Sequence, residues 1–259
     1  MYELAMLKLY PAYMRLFIWR GRSLYFGPSV HLDAHAYATV VLHVGIYRPF
    51  RIKIANDAWQ SCRCAVVPAA TPHELDFEGG IHGKLFIERD SSDYLYFKRR
   101  FACPEQSLSL FQDDELIDEL RWMYEMDPDK TVIESCLDNL LRCDGELNLV
   151  IDPRVQTAID LICDEPDYNF SQEYLAARAD LSPSRFLHLF KQHTDVPYRR
   201  FRTWKRLFLA LESLSAVDNM TVAALDAGFA DAAHFSHSFR DNFGINPAYV
   251  FRGINRFEV

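Results

Sequence analysis

The stretch FLHLFK at residues 186–191 returns in altered form as FSHSFR at residues 235–240, and this repeat decides how the second half of the chain is interpreted. Each copy follows a residue that caps helices well, Ser182 or Asp231, and each is followed after a short turn by proline. A repeat with the same boundaries in both copies indicates two versions of one supersecondary unit rather than one catalytic cleft.

Helical periodicity divides each copy into two faces. The phenylalanines fall on one stripe, which we expect to face a core. The opposite stripe is small at its start, then polar, then basic. It holds Ser184, Leu187, His188 and Lys191 in the first copy, and Ala233, Ser236, His237 and Arg240 in the second. Small residues let a helix N-terminus approach a polyanion closely, and its N–H groups and dipole favour phosphate.

A shorter amphipathic segment precedes each copy, near residues 172–179 and 221–227, and a turn of three or four residues joins the two members of each pair. A helix, a tight turn and a second helix with a polar outer face make a helix-turn-helix motif. We therefore predict two such motifs, at residues 172–193 and 220–243. The alternative is a helical bundle in which the repeat serves packing alone.

The second motif contains Gly228-Phe229, His234-Phe235, Phe239, Phe243-Gly244 and Pro247. The first contains Leu175-Ala176, Leu181-Ser182-Pro183, Phe190-Lys191 and Pro197. With these residues, the chain from about 155 to 256 resembles the DNA-binding domain of AraC-family transcription regulators. Residues 198–214 are similar to the connecting helix of that family, with Arg206 and Ala210 at the expected positions. Asp180 and Asp195 stand where the family usually has glycine, so these turns should cost some stability.

The resemblance implies a bacterial transcription regulator, either an activator or a repressor, and no enzymatic activity. Its two recognition helices would enter adjacent segments of the DNA major groove, with RNA polymerase as a further partner. The DNA contacts that this implies are Ser184, Arg185, Leu187, His188, Lys191, Arg199, Arg200, Ala232, Ala233, Ser236, His237 and Arg240. We interpret Lys191, Arg240 and the basic run Arg199, Arg200, Arg202, Lys205 and Arg206 as phosphate contacts, although such a run is often only a solvated face.

The composition sets limits on these interpretations. The net charge of −8 argues against a general nucleic-acid coat, so DNA binding must depend on local positive charge and on low salt. Residues 6–19 contain too much charge for a signal peptide, and no apolar run is long enough to span a membrane, so we expect a cytoplasmic protein. The cysteines lack zinc-finger spacing, and no cofactor is predicted. Cys62 and Cys64 would share one face of a strand, and redox or metal sensing there stays open.

The hydrophobic pattern of the first hundred residues has a different period from that of the helical segments. Short β-rich runs separated by turn residues predict a small barrel or sandwich. These runs are 14–19, 23–26, 37–44, 50–54, 60–67 and 84–88. Together with the family resemblance, they look like a cupin-like regulatory domain over residues 1–100. The predicted fold class is therefore α+β, with this β domain first and an all-α DNA-binding domain at residues 153–259, whose two motifs a long helix joins.

His35, Tyr37 and His73 are the predicted contacts of a small-molecule effector. Because positions four apart share a strand face, we expect His31 and His35 to point into the barrel together. The His-x-His pair of cupin metal sites is missing, so no metal is predicted. Plain core filling by these residues stays an alternative, as does a cupin-type metal-dependent enzyme with a helical assembly domain.

Between the two domains, residues 101–152 are predicted to form a helical hairpin and a linker. The segments 113–126 and 131–143 each place apolar residues along one side, and residues 144–153 form the linker. This apolar side would either dock on the β domain of its own chain or form the interface of a homodimer.

Overall fold

The computed structural model describes residues 13–29, 31–55, 57–101, 107–142, 147, 149–217 and 219–259. Cys103, Cys143, the start of the chain and part of the predicted linker lie outside the described residues. A β-rich domain comes first, a helical hairpin follows, and a helical domain ends with a strand. The predicted α+β class and the order of its parts are confirmed.

The strands form two sheets that enclose the N-terminal core. They are β1 (Met14–Trp19), β2 (Arg22–Pro28), β3 (His31–His35), β4 (Val40–Gly45), β5 (Phe50–Ile54), β6 (Gln60–Cys62), β7 (Cys64–Val67), β8 (His73–Asp76), β9 (Ile81–Ile87), β10 (Ser109–Phe111) and β11 (Ile254–Glu258). One sheet has the order β10-β7-β4-β9-β2-β1-β11 and the other the order β3-β8-β5-β6. This is the small barrel or sandwich that the short β-rich runs predict.

The helices follow the predicted amphipathic segments, with additional helices between them. They are α1 (Asp93–Arg100), α2 (Asp114–Met126), α3 (Lys130–Leu141), α4 (Pro153–Asp164), α5 (Gln172–Arg178), α6 (Pro183–Thr194), α7 (Tyr198–Val217), α8 (Met220–Asp226), α9 (Ala232–Phe243) and α10 (Pro247–Gly253). None of the helices in the described ranges is long and apolar enough to cross a membrane.

The hairpin α2–α3 docks on the β domain of its own chain. Leu116, Leu120 and Leu137 are buried in the same apolar cluster as Leu42 and Leu85 of the large sheet. The structure therefore favours the docking alternative, and the inner face of the hairpin is not free to form a dimer.

Two expectations for the β domain are wrong for the same reason. The regular alternation of β3 breaks between Leu32 and His35, where the pairing with β8 shifts register. The His31 side chain is 45% exposed, whereas His35 is buried, so the two do not enter the barrel together. Likewise, the predicted strand is interrupted at Arg63, between β6 and β7, which places Cys62 and Cys64 in different sheets.

The helical domain has the predicted caps and core. The Ser182 hydroxyl accepts a hydrogen bond from the backbone N–H of Arg185 at 3.3 Å, and the Asp231 carboxylate accepts one from that of His234 at 2.7 Å. The four phenylalanines of the repeat are buried, at 3% exposure or less: Phe186, Phe190, Phe235 and Phe239. These contacts fix which faces of α6 and α9 turn outward.

Strand β11 was not predicted, and it joins the two domains. It pairs in parallel with β1, placing Ile254 opposite Met14 and Phe257 opposite Leu16. Beside this pairing, Leu16 of β1 lies in one buried cluster with Leu211 of α7 and Phe239 of α9. The β domain and the helical domain therefore share an apolar core.

Candidate DNA interface and effector cavity

The outer face of α6 is open to solvent. Ser184, Arg185, His188 and Lys191 are exposed, and Leu187 is half-buried. The capped N-terminus of α6 lies at one end of this face. From that end, backbone N–H groups, small side chains and a basic side chain follow one another along the helix.

The outer face of α9 has the same order. Ala233, His237 and Arg240 are exposed, while Ala232 and Ser236 are half-buried. Nε2 of His237 lies 3.3 Å from the Asp241 carboxylate, and both side chains are more than half exposed. The predicted stripe is therefore free on both recognition helices, but His237 already has an acidic neighbour.

Helix α7 connects the two units. It has 20 residues, which at 1.5 Å per residue gives a length of roughly 30 Å. That length is close to the spacing of adjacent major-groove segments on one face of B-DNA, about 34 Å. Its exposed Arg199 extends the basic edge of the first unit.

The rest of the basic run on α7 faces protein. The Arg200 guanidinium donates to the carbonyl oxygen of Ala36 in the β domain, and that of Arg206 donates to the carbonyl of Pro166 at 3.1 Å. The Lys205 ammonium lies 2.5 Å from the Glu88 carboxylate. The phosphate assignment is therefore wrong for Lys205 and Arg206, because nearby acceptors hold both groups in buried positions. Arg200 would reach DNA only if it left Ala36.

The predicted effector residues lie together inside the β domain. The ring of His35 is 4.3 Å from that of His73 and 4.7 Å from that of Tyr37, centroid to centroid. Two buried histidines that were not predicted adjoin them. His43 lies 6.1 Å from His73, and His82 stacks at 3.8 Å on Phe77. Four imidazoles thus occupy the interior of one small domain.

The backbone sets the tautomers of two of these rings. Nδ1 of His35 lies 2.7 Å from the Asp33 carbonyl, and Nδ1 of His73 lies 2.8 Å from the Thr71 carbonyl. Because a carbonyl only accepts, both Nδ1 atoms carry the proton, and each Nε2 is left as a buried acceptor without a hydrogen-bond partner.

Burial governs the ionisation of these groups. It holds the pKa of His35, His43 and His82 well below the usual value for histidine, and it lowers the pKa of His73 to about 4. All four rings are therefore neutral at neutral pH.

An apolar cavity lies where the β domain meets α7, α9 and α10. Its free volume is about 60 Å³. Most of its lining is aliphatic or aromatic, including Leu32, Phe86, Phe208, Phe243 and Val250, and Lys84 supplies the cation. Lys84 is 8% exposed and lies 5.5 and 5.7 Å from the centroids of the Phe77 and Tyr25 rings, and burial lowers its pKa to about 7.

Lys84, His43 and His82 were missed because their strands are otherwise apolar. The available signal was His82-Gly83-Lys84, since two polar residues at a spacing of two share one face of a buried strand. Among the described residues, no group of three or more histidine, cysteine or acidic side chains is placed to hold a metal ion.

The thiols of Cys62 and Cys64 are expected to react slowly at neutral pH. Burial raises the pKa of Cys62 to about 12 and that of Cys64 to about 11, which keeps both protonated at neutral pH.

The sequence comparisons agree with the two exposed helices. Residues 175–253 match the model of a family described as a helix-turn-helix domain. The chain is 30% identical over 112 residues to an uncharacterized HTH-type transcriptional regulator of Haemophilus influenzae, and 34% identical over 101 residues to the arabinose operon regulatory protein of Escherichia coli K12. The C-terminal region is an AraC-type helix-turn-helix domain. These two alignments take in 43% and 38% of this chain, but only 38% and 34% of the relatives' own lengths.

Solved structures extend the likeness beyond the AraC-type domain. Apo ToxT from Vibrio cholerae superposes with a TM-score of 0.63 over 92% of this chain and 100% of its own, at 10% sequence identity. The structure of ToxT with an unsaturated fatty acid bound gives a TM-score of 0.57 over 93% of this chain and 96% of its own, also at 10% identity. The fold of a β-rich domain followed by a helical domain is thus shared.

Proposed function

We propose that this chain is a cytoplasmic bacterial transcription regulator that binds double-stranded DNA through α6 and α9. The observation that carries the proposal is the matching outer face of the two helices, which is exposed on both and is preceded by a capped helix N-terminus. The AraC-type domain match over residues 175–253 supports it. Helix α7 would hold the two units about one DNA turn apart.

The side chains of the two faces have different proposed roles. Those that reach base edges are Ser184, Leu187 and His188 in the first unit, and Ala232, Ala233 and His237 in the second. Those that contact the backbone are Arg185, Lys191, Arg199, Ser236 and Arg240. Histidine cannot make the bidentate guanine contact of arginine, and alanine offers only apolar contact. Part of the sequence preference would therefore come from DNA shape.

Selection from a pool of random duplexes tests this function. The purified chain should enrich sites with two conserved elements separated by about one helical turn. A double variant, His188→Ala with His237→Ala, should enrich the same sites much less strongly but keep salt-sensitive binding to any duplex. Arg99→Ala on α1, which removes an exposed positive charge from the β domain, should leave the enrichment unchanged. A wild-type chain that enriches nothing at low salt would overturn the proposal.

We also propose that an organic monocarboxylate with an apolar body regulates the chain by entering the cavity at Lys84. A buried ammonium among apolar walls suits an anion that brings its own apolar surface. The fatty acid in the ToxT structure supports this class of ligand. The free volume of about 60 Å³ is small, so a ligand would move the walls and with them the contact between the domains. His35, Tyr37 and His73 do not line this cavity, and a ligand would reach these proposed effector contacts only if it moved the walls.

Binding of oleate, compared with oleyl alcohol, tests this site by calorimetry. The carboxylate should bind and the alcohol should not, because only the carboxylate pairs with the ammonium. Lys84→Met should lose oleate binding, whereas Lys53→Met, which removes the partner of Glu74 on the outside of the β domain, should keep it. Equal binding of acid and alcohol, or unchanged binding by Lys84→Met, would contradict the proposal.

Two further partners belong to the same proposal. RNA polymerase is the expected partner at a promoter. A homodimer through the hairpin would use its outer side, where Trp122, Met126 and Val132 are exposed, because the inner side is covered by the chain's own sheet. Sedimentation of the wild type and of Met126→Asp tests the dimer.

A further inference from the structure

The second recognition helix ends against a histidine of the β domain. Gly244 follows α9 in the left-handed conformation, with φ of 69°, and has the ring of His35 directly beside it. A β-carbon on Gly244 would lie 2.5 Å from Nδ1 of His35 and 2.8 Å from the Asp33 carbonyl oxygen. Gly244 packs so closely against the His35 ring that this contact persists only while the ring keeps its position.

Two backbone hydrogen bonds hold this junction. The N–H of Asp33 donates to the Gly244 carbonyl at 3.1 Å, and the N–H of Ala36 donates to the Asp241 carbonyl at 3.4 Å. Both donors belong to the segment that carries His35. A movement of that segment with its ring therefore acts on the two bonds that hold the end of α9.

The groups that face His35 do not favour a positive charge on it. On its inner side lie His73 of β8 and the buried ring of Tyr37, at 4.3 and 4.7 Å between ring centroids, and, farther away, His43 of β4 and Lys84 of β9. On the side of the helical domain lies Arg200 of α7. Asp241 of α9 has its carboxylate 3.3 Å from His237, and the Asp33 side chain is 76% exposed. No carboxylate among the described residues is paired with the His35 ring.

A proton on His35 would therefore be poorly accommodated in the docked arrangement. Nδ1 already donates to Asp33, so the proton would go to Nε2, which is buried without an acceptor. The new charge would lie in an apolar site beside other cationic groups. Moving the segment away from Gly244 would bring the ring to water.

We propose that His35 is an acid-sensitive latch, through which uptake of a proton by its ring releases the end of α9 from β3. The latch is a property of the fold, but its meaning for promoter control rests on the proposed function.

The direction of the pH dependence follows from the buried ring. Burial keeps the pKa of docked His35 well below 6.5, whereas a ring exposed by undocking regains about 6.5. The undocked form thus binds more protons below about pH 6.5, and acid favours it by up to tenfold per pH unit for each proton taken up. His73, whose pKa is about 4 when docked, adds a second proton if its ring is also exposed.

Hydrogen exchange resolved to single amides in the effector-free chain measures the latch. Between about pH 7.5 and pH 5.5, the amides of Asp33 and Ala36 should lose roughly tenfold in protection after correction for intrinsic exchange, and up to a hundredfold if His73 also takes up a proton. The amides that pair β4 with β9 lie within one sheet, so they should keep their protection.

Substitution provides the matched comparison. His35→Phe keeps a flat ring beside Gly244 but takes up no proton, so the acid-induced loss of protection at Ala36 should be about tenfold smaller than in the wild type. His31→Phe changes an exposed histidine of the same strand and should behave as the wild type.

Three results would overturn the latch. They are unchanged protection of Asp33 and Ala36 in acid, equal loss across the β4–β9 pairing, which indicates general acid unfolding, and an acid-induced loss at Ala36 that is as large in His35→Phe as in the wild type. DNA selection at about pH 7.5, where the latch is closed, tests the proposed function separately.

Discussion

Lys205 of α7 and Glu88 of the β domain form an ion pair of 2.5 Å whose side chains are only 13% and 14% exposed. The other Glu88 oxygen accepts a hydrogen bond of 3.0 Å from the indole nitrogen of Trp204. Burial opposes the charged form of Lys205, but Glu88 and Asp90 outweigh it and raise the pKa of the ammonium. One carboxylate of the β domain therefore holds two consecutive side chains of the helix that connects the recognition units.

Removing that carboxylate should destabilise the docked chain. Glu88→Gln leaves Lys205 with Asp90 alone, at 3.5 Å, and we expect the free energy of unfolding to fall by about 3 kcal/mol. Urea denaturation followed by circular dichroism measures it. Arg121→Gln is the control, because its partner Asp118 is 68% exposed, so solvent screens this pair and it should contribute less than about 1 kcal/mol. A loss no larger for Glu88→Gln than for Arg121→Gln would show that the buried pair does not stabilise docking.

The parts of this fold that could be predicted are those set by local sequence. The caps at Ser182 and Asp231 and the paired phenylalanines specify α6 and α9 through interactions within one or two helical turns. For the same reason, the outward faces of these helices could be assigned before the fold was known. Turn residues likewise separate most of the strands.

The remaining features depend on contacts between residues distant in sequence. From the sequence alone, Lys205 belongs to a run of basic residues on a helix, and only the fold shows that it is paired with Glu88. The bulge after Leu32 determines that His35 enters the core while His31 does not, and no short-range signal marks it. The pairing of β11 with β1 joins the two ends of the described chain, where local pattern carries no information about a partner strand.

The two kinds of DNA contact should separate by substitution. His188→Ala removes a proposed base contact, so we expect a loss of about 1 kcal/mol on a selected site and much less on a scrambled duplex. Arg240→Ala removes a proposed phosphate contact, so both duplexes should be bound more weakly and the slope of log affinity against log salt should fall by about one. Fluorescence anisotropy at several salt concentrations measures both quantities. Equal losses on both duplexes for His188→Ala would remove it from base recognition.

The buried lysine makes stability depend on pH in a defined direction. Burial lowers the pKa of Lys84 to about 7, whereas an unfolded lysine keeps its proton up to about pH 10.4. Between these values the unfolded chain binds more protons, so Lys84 makes the folded chain more stable as pH rises.

The comparison of wild type with Lys84→Met isolates this contribution, because other titrating groups are common to both chains. The stability of the wild type relative to the variant should increase by about 1.4 kcal/mol per pH unit above pH 7. Urea denaturation at about pH 7.5 and pH 8.5 tests it. A difference that stays constant with pH would mean that the folded chain keeps Lys84 charged, which would require a carboxylate or a solvent path beside it.

The aspartates at two left-handed turns should respond in opposite ways to glycine. Asp180 and Asp195 have φ of 53° and 62°, a conformation that glycine adopts with less strain. Asp180→Gly should therefore stabilise the chain by roughly 0.5 kcal/mol in thermal unfolding. Asp195→Gly gains the same relief but loses the Arg89 ion pair and the Tyr94 hydrogen bond, both 3.2 Å long, that tie the first recognition unit to the β domain.

For Asp195→Gly we expect no gain in stability, with a loss of up to about 1 kcal/mol, because the carboxylate is 41% exposed and its ion pair is partly screened. The two substitutions make the same backbone change, so the difference between them measures the contacts alone. If both variants were stabilised equally, the side chain of Asp195 would contribute nothing to docking, and the first unit would be held to the β domain by other contacts.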